Sequence, residues 1–193
     1  SATRARGTIG GSLANADPAA ELSLIAVTLD AVLSYRAAGK TREISAHDFH
    51  AGAMVTTLPE GACLTSVRFP VWKGDKIGLG FHEVSTRRSD FAFASAAAQV
   101  EIGPDGKCQR IAIGVGAATD FPIRLESAEQ QLKGTALEVK AVDAAVRAAL
   151  TGIEPLSDPH ASADYRRRAA ASLAARAVAD ARAHALGNKT HAH

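Results

Sequence analysis

The stretch FAFASAAAQVEIGPDGKCQRIAIGV, residues 91–115, decides the fold. Ala92, Ala94, Ala96, Ala98, Val100 and Ile102 recur at every second position, which places them on one face of an extended chain. Gly103-Pro104-Asp105-Gly106 then supplies turn chemistry. Alternation resumes from Gln109 to Val115, with Ile111, Ile113 and Val115 on one face. Leu79 to Arg87 reads as a strand ahead of these two, so the three form an antiparallel meander. A sheet with one apolar face needs a second layer, and helices follow in sequence to provide it. Ser127-Ala128-Glu129-Gln130 and Thr135-Ala136-Leu137-Glu138 both fit the capping box, a hydroxyl residue followed three positions later by Glu or Gln. Val139, Val142, Val146, Ala149 and Leu150 form a helical stripe that Gly152 ends. A last helix from about Ser162 carries Ala170, Leu173, Ala174, Ala177, Val178 and Ala181 at helical spacing. The tail from Gly187 to His193 reads as a frayed end.

Ahead of the meander lies a glycine-rich loop, Gly7-Thr8-Ile9-Gly10-Gly11-Ser12. Its backbone N–H groups suit either a nest for phosphate oxygens, with Thr8 and Ser12 as hydroxyl donors, or an ordinary turn. Asp17-Pro18 reads as the start of a helix that carries Leu22, Leu24, Ile25 and Leu29. Ala31 to Tyr35 reads as a strand and Gly39 as a turn. Asp48-Phe49 sits in an irregular stretch, Pro59-Glu60-Gly61 is a turn, and Leu64 to Phe69 alternates as a strand that Pro70 ends. Val71 to Lys76 reads as a connection, which divides the chain into residues 1–75 and 76–193. The fold class expected is α+β, a three-stranded antiparallel sheet packed on three helices behind a smaller mixed domain.

Of the 193 residues, 47% are hydrophobic, enough to bury a core and to set disorder aside. A net charge of +2 argues against nucleic acid or an anionic membrane as partner. The one basic run, Arg166-Arg167-Arg168, reads as a solvated helix face with one arginine pinned by a carboxylate, or as a partner contact. Two distant cysteines, Cys63 and Cys108, make neither a disulfide framework nor an iron–sulfur or zinc site. His47, His50 and His82 are too dispersed for a metal centre, and His184, His191 and His193 belong to the tail. No apolar run is long enough to span a bilayer and no signal peptide opens the chain, so a cytoplasmic location is expected. No Ser-His-Asp arrangement or carboxylate pair stands out, so no catalytic residue is assigned and a carrier role is favoured.

Arg4-Ala5-Arg6-Gly7-Thr8-Ile9-Gly10-Gly11-Ser12, followed by Asp17-Pro18-Ala19-Ala20-Glu21-Leu22, resembles the FAD-binding medium subunit of molybdenum hydroxylases. The type is that of the carbon monoxide dehydrogenase medium subunit, with the flavin domain of xanthine dehydrogenase a more distant relative. Asp48-Phe49, Pro59-Glu60-Gly61 with Leu64 and Arg68-Phe69-Pro70, Arg87-Arg88-Ser89-Asp90-Phe91-Ala92, Ser157-Asp158 and Tyr165-Arg166 resemble further segments of that family, in order. Ser12 stands where the family frequently has Asn, and Ser89 replaces a glycine.

The resemblance implies that residues 1–75 are the C-terminal half of an FAD-binding domain and residues 76–193 the flavoprotein C-terminal domain. It implies that Thr8, Ile9, Gly10, Gly11 and Ser12 hold the diphosphate side of FAD and that Glu21 lies near the flavin or its ribityl chain, or else faces solvent. Asp17 caps a helix or touches the cofactor; Leu64 and Glu83 neighbour the flavin ring, with plain core the alternative for Leu64. Asp90 fixes a loop beside the ring or starts the next strand. The implied assembly is a heterotrimeric oxidoreductase. A large subunit holds a molybdenum–pterin centre that hydroxylates substrate, and a small subunit holds two-iron two-sulfur clusters. Electrons then reach FAD here and pass to NAD or another acceptor. The family carries a first glycine-rich loop upstream of the second, so the expectation is a fragment, or a split subunit whose first loop is on a separate chain. The alternative is a flavin-free docking module for the other subunits.

Overall fold

The computed structural model describes residues 6–87 and 90–187. Arg4, Ala5, Arg88, Ser89, His191 and His193, all singled out above, lie outside the described residues. Two short helices open the described chain, α1 (Ile9–Asn15) and α2 (Glu21–Thr28). A hairpin follows, β1 (Val32–Ala37) and β2 (Lys40–Ser45), joined by Ala38 and Gly39 with φ of 48° and 74°. Two positive φ values in a two-residue loop match the twist of the flanking strands. One turn of helix, α3 (Ala46–Phe49), is capped by the Ser45 hydroxyl and leads into a small hairpin of β3 (His50–Gly52) and β4 (Val55–Thr56). Strand β5 (Cys63–Arg68) pairs antiparallel with β1, giving the order β2-β1-β5. Leu13, Ala26, Val27, Ala31, Leu33, Ala46 and Phe49 form the buried core of this part.

The second sheet has the order β6-β7-β8-β9, all antiparallel: β6 (Ile77–Val84), β7 (Ala94–Ile102), β8 (Cys108–Gly116) and β9 (Ile123–Arg124). The meander read from the sequence is its first three strands, and β9 adds a two-residue edge. Thr86 and Arg87 lie beyond β6, and Phe91 to Phe93 precede β7. Three helices cover one face: α4 (Glu126–Leu132), α5 (Val139–Leu150) and α6 (Ala163–Ala185). Ala94, Ala96, Ala98, Val100 and Ile102 of β7 pack with Ile111, Ile113 and Val115 of β8 against Ala170, Ala174, Ala177 and Val178 of α6. Small side chains let the 23-residue α6 approach β6 backbone to backbone. A Cβ added at Gly78 would overlap the Ala181 carbonyl, and one at Gly80 the Ala177 carbonyl.

The opposite face of this sheet is not bare, as the two-layer expectation had it. Helix α2 lies across β7, β8 and β9. Gly114 leaves room for the Thr28 hydroxyl, and Gly116 for Leu24. Toward the α2 end, the outward positions of β7 and β8 are Ser95, Ala97, Gly114 and Gly116, too small to keep a helix away. Glu129 and Arg124 fasten the same junction. The Glu129 carboxylate accepts from Arg124 Nε and Nη2 at 2.8 and 2.9 Å and from the Ile113 amide at 2.8 Å, while Arg124 Nη1 pairs with Asp30 at the end of α2. The connection between the two parts is pinned as well, with Arg110 stacked over the Trp72 ring at 4.1 Å.

Of the three helix starts expected after the meander, two move. Glu126 already belongs to α4, so Ser127 lies inside it. Thr135 donates to the Leu132 carbonyl and accepts from the Leu137 amide, and α5 starts at Val139 without a side-chain cap. Ser162 is a true cap, its hydroxyl accepting from the Tyr165 amide at 3.3 Å.

Candidate functional site

The expected glycine loop is the start of a helix. Thr8 is the N-cap of α1 in an extended conformation, and its hydroxyl accepts from the Gly11 amide at 2.9 Å. The Ser12 amide donates to the Thr8 carbonyl at 3.0 Å. The amides of Ile9 and Gly10 come before these in the first turn and have no partner inside the helix. Neither Gly10 nor Gly11 has a positive φ, so their value here is close approach rather than a left-handed turn. A Cβ on Gly11 would lie 3.0 Å from the Thr8 hydroxyl, and one on Gly10 would lie 3.7 Å from Leu64 Cδ2. Leu64, half-buried on β5, therefore flanks the helix start directly. Ile9 is 53% exposed and points away from the core.

Asp17-Pro18 does not start a helix. Asp17 Oδ1 accepts from the Ala19 amide at 2.9 Å, and the Pro18 carbonyl accepts from the Ala117 amide at 2.8 Å, which draws the backbone onto the end of β8. Helix α2 begins three residues later at Glu21, an acidic residue in the first turn where the peptide dipoles favour it. Glu83 stands on the outward side of β6, opposite Ser95 and between the exposed Phe81 and the strand end. Burial first, and the negative charge of Glu21 second, push the Glu83 carboxyl above the ordinary carboxylate range.

The expected site residues fall into two groups. Thr8, Ile9, Gly10, Gly11 and Ser12 start the helix that packs on β5 beside Leu64; Glu21 opens α2 and Glu83 stands on the outward side of β6, with Asp17 in the chain between Ser12 and Glu21. Asp90 is exposed in a bend, its amide donating to the Arg87 carbonyl at 3.1 Å. Two neighbours were missed. Leu79 and Phe81 lie 53% and 40% exposed beside Glu83 on the open face of β6. Gly78 and Gly80, spaced by two, were the signal that the other face is the one pressed against a helix. A separate polar cleft of about 450 Å3 is lined by His47, Arg124, Glu126 and Gln130. Its arginine is already engaged by Asp30 and Glu129, and it contains none of the expected residues.

The donor set suits a dinucleotide. Peptide N–H groups and a threonine hydroxyl match phosphate oxygens, and the glycines leave a cradle that a Cβ on Gly11 would crowd. With only seven residues α1 has a modest dipole, so the donors are the amides themselves. Carboxylates at Glu21 and Glu83 match hydroxyl or ring N–H donors.

Two family profiles define the class of the chain as flavoprotein. The profile for the CO dehydrogenase flavoprotein C-terminal domain matches residues 80–181, and that for the FAD binding domain in molybdopterin dehydrogenase matches residues 1–72. The 6-hydroxypseudooxynicotine dehydrogenase complex subunit alpha of Paenarthrobacter nicotinovorans is 34% identical over 178 residues, 92% of this chain and 60% of the relative. The carbon monoxide dehydrogenase medium chain of Afipia carboxidovorans is 34% identical over 182 residues, 94% of this chain and 62% of the relative. Among solved structures, quinoline 2-oxidoreductase from Pseudomonas putida 86 superimposes with a TM-score of 0.87 at 33% identity, over 97% of this chain and 63% of that one. CO dehydrogenase from Oligotropha carboxidovorans gives 0.88 at 33%, over 94% and 63%. The chain belongs to the family of FAD-binding medium subunits of molybdenum hydroxylases. It spans about three fifths of the length of the curated relatives it matches.

Proposed function

We propose that the chain carries FAD as part of the medium subunit of a molybdenum hydroxylase. The observation that carries this reading is the helix start at Thr8–Ser12 pressed against Leu64, in a chain whose two parts match the two flavoprotein families. Thr8, Ile9, Gly10, Gly11 and Ser12 would hold the diphosphate, with Asp17 shaping the turn that follows. Glu21 and Glu83 would accept hydrogen bonds from ribityl or ring donors, and Leu64 would line the apolar side. Bound FAD supplies reversible uptake of electrons, singly or in pairs. Leu79 and Phe81 would keep water from the same face of β6.

The assembly belongs to the proposal too. Its partners are a large subunit with a molybdenum–pterin centre and a small subunit with two-iron two-sulfur clusters, from which electrons reach an acceptor by way of this subunit. The division at residues 75 and 76 between flavin-binding and C-terminal parts is supported by the two separate buried cores. A cytoplasmic setting fits two free thiols, one of them buried. Among the described residues, no helix is long and apolar enough to cross a membrane.

The test is flavin content of the assembled protein after Gly10→Val and Gly11→Val. A Cβ at Gly11 crowds the Thr8 hydroxyl, and one at Gly10 reaches Leu64. Loss of flavin with unchanged circular dichroism is the expected result. Unchanged flavin content would refute the assignment, and folded wild-type protein that never holds FAD would leave docking as its role.

A further inference from the structure

We infer that Arg166 is a positioning residue whose guanidinium sets the spacing between the chain segments carrying Glu21 and Glu83. The inference rests on the flavin reading, because those segments bound the proposed site. Arg166 stands in the second turn of α6, yet its side chain is turned inward and is only 4% exposed. Nη1 donates to two carbonyls at once, Phe93 and Ala117, each at 2.8 Å. Nη2 donates to the Asp158 carboxylate, whose other oxygen accepts the amides of His160 and Ala161 at 2.8 and 2.9 Å. The Phe93 ring lies beneath the guanidinium at 5.6 Å and stacks on His160.

Each carbonyl leads to one carboxylate. Phe93 precedes β7, and its amide donates to the Val84 carbonyl at 2.8 Å, next to Glu83. Ala117 follows β8, and its amide donates to the Pro18 carbonyl at 2.8 Å, three residues before Glu21. Ala117 is held at φ 59°, a left-handed conformation that a residue with a Cβ adopts only when its surroundings impose it. Arg166 supplies that constraint from the carbonyl side while Pro18 takes the amide. One nitrogen is thus the common point of two short paths, one to each carboxylate. A lysine, with a compact ammonium in place of a planar fork, cannot hold both carbonyls and Asp158 together.

The experiment uses the intact subunit in its native assembly and compares wild type with Arg166→Lys, Asp158→Asn and Val146→Ala. Val146 is fully buried in α5, on the face of the sheet opposite the one that carries Glu83, and serves as the stability control. Three quantities are read: the FAD dissociation constant, the flavin midpoint potential, and hydrogen–deuterium exchange at the Ala117 amide. Arg166→Lys is expected to weaken FAD by about tenfold, the equivalent of one charge-assisted bond, to shift the potential and to speed exchange at Ala117. Asp158→Asn moves all three in the same direction by less, and it decides the matter if Arg166→Lys does not fold. Val146→Ala lowers the melting temperature but leaves FAD affinity within about twofold. Wild-type affinity and potential in folded Arg166→Lys would overturn the inference, as would an equal loss in Val146→Ala. Wild-type protein without FAD would instead refute the flavin reading beneath it, and would be seen before any substitution is made.

Discussion

Strands β6 and β8 lie in one sheet but place their glycines on opposite faces. In β6, Gly78 and Gly80 face α6, and the outward positions are Leu79, Phe81 and Glu83. In β8, Gly114 and Gly116 face outward under α2, while Ile111, Ile113 and Val115 fill the helical side. A helix can bring its backbone close to a strand only where side chains are absent or small, so the glycines mark the points of closest helix approach. The outward half of the sheet at β8 is closed by α2, and the half at β6 is left open. That open half carries the two apolar side chains and the carboxylate with the perturbed titration. The strip that α2 covers and the strip proposed as the site are neighbours on one surface.

The largest test of this contrast is Gly80→Val. Its side chain would overlap the Ala177 backbone, which cannot retreat without moving α6, and a loss of more than about 3 kcal/mol in urea unfolding is expected. Unchanged stability would mean that α6 does not press on β6. Gly114→Ala is expected to cost less, about 2 kcal/mol, because it meets the Thr28 side chain rather than backbone. Thr28→Ala in the same chain should recover about 1 kcal/mol of that loss, and strict additivity of the two substitutions would show that α2 does not bear on Gly114.

The smallest effect is electrostatic. Because burial and Glu21 raise the Glu83 carboxyl, the native protein binds a proton there more tightly than the unfolded chain does. The stability this contributes is fully present below the ordinary carboxylate range and is lost as pH rises through the raised native value. Glu83→Gln should flatten that part of the stability–pH curve, and Glu21→Gln should move the Glu83 titration, followed by carboxyl NMR shifts, back toward the ordinary range. A Glu83 titration indifferent to Glu21→Gln would separate the two groups.

Much of the fold was legible because alternation in β7 and β8 and the alanine stripe of α6 are local patterns with large tertiary consequences. The start of the last helix near Ser162 was legible, and the structure makes Ser162 its cap. Thr135 and Asp17-Pro18 misled because their backbone carbonyls are claimed from afar, Thr135 by the Cys108 amide and Pro18 by Ala117. Thr8 was read as part of a loop since glycines at positions 10 and 11 weaken any helical pattern, and only the cap shows that the helix has begun. The third layer was hidden because Ser95, Ala97, Gly114 and Gly116 carry no apolar signal; their smallness is the signal. Arg166 sat in a run that looked solvated, and the one carboxylate expected to pin an arginine turned out to be Asp158.

The most direct measurement is the absorbance of the assembled medium subunit after incubation with FAD and gel filtration. The account predicts one FAD retained per chain, with flavin bands that travel with the protein. A well-folded protein that elutes with none would contradict it.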